Sequence, residues 1–164
     1  MSMKFRYLLV LLTVGLTACQ SARHQAESPP PPQDVTPGST FTVVKDFLVP
    51  SGDSSVFFQD TRVYPQGEVQ PNYPYCEFVI GAPSADGQVI KGSYMVSNVE
   101  YDENGVRLRG TDVAVTIIHL QAASSGEPYR MNCTLPMLSS GARFLTPAEI
   151  QGAVGGYMDI SVAP

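Results

Sequence analysis

Tyr129-Arg130-Met131-Asn132-Cys133-Thr134-Leu135-Pro136 alternates without a break, with Tyr129, Met131, Cys133 and Leu135 on one side of an extended chain and Arg130, Asn132, Thr134 and Pro136 on the other. Successive side chains of a strand point to opposite faces, so this stretch reads as a strand buried on one face and wetted on the other. The same period recurs over residues 75–80, where Cys76, Phe78 and Ile80 alternate with Tyr75, Glu77 and Val79. Each of these two half-buried strands carries a cysteine on its apolar side.

Working outward, residues 113–120 are apolar on both sides, which predicts a central strand. Just before them Val106 and Leu108 oppose Arg107 and Arg109, and Gly110 marks a bulge or corner. Asp102-Glu103-Asn104-Gly105 ends in Asn-Gly, a pair that tolerates positive φ at both residues and predicts a tight hairpin turn. It lacks the alternating ligands and distal glutamate of a calcium loop. Further turns are predicted at residues 83–87 and 124–128, and further strands over residues 41–49, 55–59, 89–101 and 157–162. One helix interrupts the series: Thr146-Pro147-Ala148-Glu149 supplies an N-cap, a proline at the first helical position and a capping-box glutamate, and Gly155-Gly156 closes it after two turns. The pattern predicts a mainly β domain, either an antiparallel β-sandwich or a small closed β-barrel of about seven or eight strands, with one short helix near the C-terminus.

The start of the chain has another character. Residues 1–6 carry Lys4 and Arg6 without an acid, and residues 7–16 are apolar apart from Thr13 and Gly15. A charge step before an apolar run about half the ~20 residues needed to span a bilayer predicts a signal peptide and not a membrane helix. Leu16-Thr17-Ala18-Cys19, which follows, resembles the lipobox of bacterial lipoproteins. The resemblance implies that residues 1–18 are removed and that Cys19 becomes the N-terminus, with lipid on its thiol and an acyl chain on its amine. Two or three chains would hold the protein firmly in a membrane. Gln20 stands where, in such lipoproteins, an aspartate retains the protein at the inner membrane. This implies a lipid-anchored protein of the bacterial outer membrane with its domain in the periplasm.

After Cys19, residues 20–39 hold Pro29-Pro30-Pro31-Pro32, Pro37 and Gly38 and almost nothing apolar. Such a segment cannot bury enough surface to offset its ordering entropy, so residues 19–39 read as a lipidated N-terminus and proline-rich linker. Residues 40–164 then form one domain of ordinary size. Without residues 1–18 the chain keeps eight basic residues against fifteen acidic ones, a formal charge of −7. That balance repels phosphate backbones and argues against nucleic acid as a partner.

With Cys19 lipidated, Cys76 and Cys133 are the remaining thiols of a domain in an oxidising compartment, and a disulfide between them is expected. Closing a loop of about 57 residues contributes roughly 4 kcal/mol in the chain-entropy model. The competing readings are a redox pair, an unpaired pair and a metal site. Redox motifs set their cysteines in a C-x-x-C turn, and zinc would need two further ligands where the domain offers His119. No cofactor and no metal are expected.

His119 lies in phase with Val113, Val115 and Ile117, the setting of a packed strand residue more than of a general base. Asp53, Asp60, Glu68, Glu77 and Asp86 have no spacing that sets a catalytic pair on one face. The segment from Val63 to Tyr75 places Tyr64, Tyr73 and Tyr75 among Pro65, Pro71 and Pro74. Rigid aromatic area of this kind suits a partner-binding surface, or a loop whose tyrosines cover the core.

Phe57-Phe58-Gln59-Asp60, Tyr73-Pro74-Tyr75-Cys76-Glu77-Phe78 and Leu145-Thr146-Pro147-Ala148-Glu149-Ile150 with Gly155-Gly156-Tyr157 together resemble small proteobacterial envelope lipoproteins. This implies the anchor and the fold and carries no activity. Ser140-Gly141-Ala142-Arg143-Phe144 is similar to the Ser-Gly-x-x-Tyr inhibitory loop of periplasmic lysozyme-inhibitor lipoproteins, with Phe144 at the tyrosine position. The expected function is therefore a non-catalytic β-domain that binds an envelope protein or glycan. The alternatives are a periplasmic lysozyme or hydrolase inhibitor and a carboxylate-dependent envelope hydrolase using Asp60 or Glu77.

Overall fold

A computed structural model of the protein describes residues 34–65, 67–83, 85–102, 113–136 and 143–164. The expected signal peptide, Cys19 and the proline run lie outside the described residues. In chain order the strands are β1 (Thr40–Val43), β2 (Phe47–Val49), β3 (Ser55–Gln59), β4 (Arg62–Tyr64) and β5 (Tyr75–Val79). They are followed by β6 (Gln88–Ile90), β7 (Ser93–Asp102), β8 (Val113–Ala122) and β9 (Pro128–Pro136), then helix α1 (Pro147–Val154) and strand β10 (Met158–Ser161). Eight strands pair antiparallel in the order β10-β1-β7-β8-β9-β5-β3-β4, and β2 pairs with β6 in a separate small sheet.

The large sheet curls strongly into a half-barrel, an arrangement between the two expected from the sequence. Its edges, β10 and β4, do not meet. Helix α1 packs against β10 on one side and β3 and β5 on the other, filling the seam. The Gln151 side chain donates to the Met158 carbonyl (2.9 Å) and accepts from the Ile160 N–H (2.9 Å), covering the free edge of β10. On the opposite side the Thr61 N–H donates to the Ala153 carbonyl (3.0 Å), one of the carbonyls that the end of a helix leaves unpaired.

Two predicted strands, residues 41–49 and 89–101, each break into two pieces. The chain leaves the large sheet after Val43, turns through Val44, Lys45 and Asp46, and re-forms as β2; Lys91 and Gly92, with φ of 88°, make the matching corner between β6 and β7. The Val43 N–H donates to the Gly92 carbonyl (2.8 Å), so the two corners are tied together. The small sheet thereby lies over the mouth of the half-barrel and sends Phe47, Val49 and Ile90 into the core from the opposite side. The Phe47 ring meets Phe58 and Phe78 edge-on, with centroids 4.9 and 5.4 Å apart. Phe78 continues the cluster to Tyr94 and Tyr129. Such pairs add about 0.5–1.5 kcal/mol each beyond the area they bury.

The predicted Asn104-Gly105 turn would set Asp102 opposite Arg107, whereas Asp102 pairs with Val115. Residues 103–112 lie outside the described residues. The register places β8 centrally, with Ile118 and Leu120 buried between neighbours on both sides. The helix forms as the sequence indicates, with the Thr146 hydroxyl accepting from the Glu149 N–H and the Glu149 carboxylate accepting from the Thr146 N–H. Cys76 and Cys133 form a disulfide between directly opposed residues of β5 and β9, Cα atoms 4.1 Å apart and both fully buried.

Candidate polar face of the half-barrel

Side chains opposite the core form three rows across the sheet. Tyr75, Thr134, Val115 and Asp102 make the first row, on β5, β9, β8 and β7. The second runs across six strands, from Tyr64 and Phe57 through Glu77, Asn132 and Ile117 to Glu100. Val79, Arg130, His119 and Asn98 make the third. The alternation in β9 that identifies it as half-buried is therefore also what assembles this face.

At one end the face is covered. Gln59, at the end of β3, is only 2 % exposed despite being polar. Its amide donates to the carbonyls of Gln70 (2.9 Å), Tyr73 (3.3 Å) and Pro74 (3.4 Å) and accepts from the Gln70 N–H (2.9 Å). One side chain thus satisfies four backbone groups of the proline-tyrosine segment and pins it over the sheet. Phe57 and Tyr75 lie buried at this end, rings 6.2 Å apart.

The three candidate binding tyrosines consequently differ. Tyr73 stands 56 % exposed. Tyr64 is half-buried, and it sits on edge strand β4 and not in a loop. Tyr75 is 3 % exposed, and burial raises its phenol pKa. It lies in the first row of the face itself, on strand β5 and not in a loop.

The open part of the face holds two clefts, of about 330 and 320 Å3, that share Arg130. The first lies over the middle of the first two rows, with Val115 and Ile117 as its aliphatic part and Glu77 and Asn132 beside them. The Asn132 amide donates to the Glu77 carboxylate (3.1 Å), which orients the amide and leaves its oxygen without a donor. The second cleft runs past His119 to Tyr129. His119 Nε2 stands 3.1 Å from the Glu100 carboxylate without an aligned hydrogen bond. Burial and the Glu127 carboxylate it bonds push the Tyr129 phenol up to about 12.

Of the acids named from sequence, Asp53, Asp60, Glu68 and Asp86 lie exposed away from the rows, and Glu77 alone joins the face. Glu100 and Asp102 also reach it, a placement visible only once β7 pairs with β8. Three interstrand spacings, about 14 Å, separate the backbones of Glu77 and Glu100. Among the described residues no group of three or more His, Cys, Asp or Glu side chains is placed to hold a metal ion, and no helix is long and apolar enough to cross a membrane.

Residues 140–142 of the inhibitor-like stretch lie outside the described residues. Arg143 grips the Glu149 carboxylate with both terminal nitrogens (2.6 and 2.8 Å), and Phe144 packs on Tyr101 with centroids 4.7 Å apart. The Arg143 guanidinium, with the Thr146 bonds, holds the Glu149 carboxyl down at about 2. Both side chains are thus engaged by the chain's own helix and strand. No known protein family, curated protein or solved structure matches this chain.

Proposed function

We propose that the chain is a lipoprotein of the bacterial outer membrane, anchored through lipid on Cys19, whose β-domain stands in the periplasm and binds an envelope partner, protein or glycan, without catalysing a reaction. The anchor rests on the run from the basic N-terminus to Leu16-Thr17-Ala18-Cys19. Binding rests on one observation: Tyr64, Glu77 and Asn132 share a row beside a cleft, on a face that the core does not need.

Cross-linking pull-down from bacterial envelope extracts with the full chain as bait tests the binding. Exchange of Tyr64 and Tyr73 for serine is expected to abolish capture at an unchanged melting temperature; equal capture by the variant rejects the face. Mass spectrometry of the native product tests the anchor, with an acylated Cys19 at the N-terminus expected and a free thiol there ruling it out.

A further inference from the structure

The two clefts meet at Arg130, which is exposed and, among the described residues, makes no ion pair in a chain whose acids outnumber its bases. Across the first cleft stands Glu77, an acceptor-only carboxylate oriented by the Asn132 amide. Val115 and Ile117, on β8 and so on the far side of β9 from Glu77, provide a small aliphatic surface in the same cleft. A sugar ring has this complementary pattern: a C–H face that rests on aliphatic side chains and a rim of hydroxyls that donate to a carboxylate or an amide oxygen. A protein hot spot would instead centre on an aromatic or aliphatic anchor seated in an apolar pocket, and the centre here is a carboxylate–amide pair. The unpaired guanidinium adds a requirement of its own, because its planar fork matches a carboxylate with two parallel hydrogen bonds.

We propose that the first cleft binds a sugar that bears a carboxylate, its hydroxyls held by the Glu77 carboxylate that Asn132 orients and its own carboxylate held by Arg130. This assignment rests on the binding reading given above and specifies its ligand. The full chain is titrated in detergent, with amide NMR shifts as readout, using two probes: N-acetylglucosaminyl-N-acetylmuramic acid, which carries a carboxylate, and neutral N,N′-diacetylchitobiose. The acidic disaccharide is expected to shift amides of β5 and β9 and to bind about tenfold or more tightly than the neutral one, the worth of one charged bidentate contact. Arg130→Gln should remove that preference, Arg130→Lys should restore part of it, and Glu77→Gln should weaken both probes alike. Equal affinity for the two probes, a preference that survives in Arg130→Gln, or no shift with either probe overturns the assignment. If no sugar binds while Tyr64→Ser still abolishes capture of an envelope protein, the sugar assignment falls and the binding face stands. If neither sugar binding nor Tyr64-dependent capture is seen, both fall.

Discussion

Gln59 shows how much a single side chain can decide. It sits at the solvent-facing phase of β3, where a polar residue invites no comment, yet it is buried and replaces four hydrogen bonds that a strand partner would otherwise supply to residues 70–74. Gln59→Leu should therefore cost about 2 kcal/mol in urea unfolding, because buried backbone groups lose their partners, and should open residues 65–74 to proteolysis before the rest unfolds. An unchanged cleavage pattern would show the segment to be held some other way. Glu149 is a second such residue, bonded to Arg143 and to Thr146 at the start of α1. Its folded pKa of about 2 lies below the ordinary 4.5, so its contribution is present above pH 4.5 and drains away as pH falls toward 2. For a partly exposed pair this is worth about 1 kcal/mol. Glu149→Gln is expected to lower stability by that amount at pH 7 and to match the wild type near pH 2, as read from melts across the range.

At the scale of elements, legibility followed periodicity. The two strands with unbroken alternation, β5 and β9, were placed on the right faces, and their cysteines, one on each apolar side, meet as a directly opposed pair. Helix α1 was legible because its capping box and proline are chemical signals local to four residues. The corners after Val43 and before Ser93 carry only short signals, Lys45 and Gly92 at positions in phase with the core, because the buried phase resumes unchanged on either side of each. β4 was missed for its length: three residues beyond a two-residue turn carry almost no period, and the turn itself uses Asp60 and Thr61 at φ of 49° and 63°, where glycine or asparagine would have announced it. The polar face was half legible: Arg130, Asn132 and Thr134 were assigned to the outward side, but their neighbours Glu100 and His119 arrive through a register that no local signal encodes. The disulfide belongs to this scale because it staples β5 to β9 across a sequence separation of 57. Replacing both cysteines with alanine should lower stability by roughly 4 kcal/mol, measured by denaturant unfolding, and a loss below about 1 kcal/mol would mean that the ladder alone constrains the two strands.

For the whole molecule the question is what keeps a half-barrel from opening. Its two edge strands do not pair, and among the described residues hydrogen bonds bridge them through α1: Gln151 to β10 on one side and Ala153 to Thr61 on the other. Gly156, just past the helix, lies so close to the β3–β4 turn that a Cβ there would stand 2.6 Å from the Thr61 carbonyl oxygen. Thr61 is a β-branched residue at positive φ, so its backbone cannot easily yield. Gly156→Ala must then push the helix off the turn, which should cost about 2 kcal/mol as overpacking does. The location of the damage is the sharper test. Because α1 is what joins the edges, amides of β3, β4 and β10 should lose hydrogen-exchange protection together, while β7, β8 and β9, at the centre of the sheet, keep theirs. Loss spread evenly over all strands would mean that the sheet holds its curl without the helix, through the Phe47 lid and the aromatic cluster beneath it.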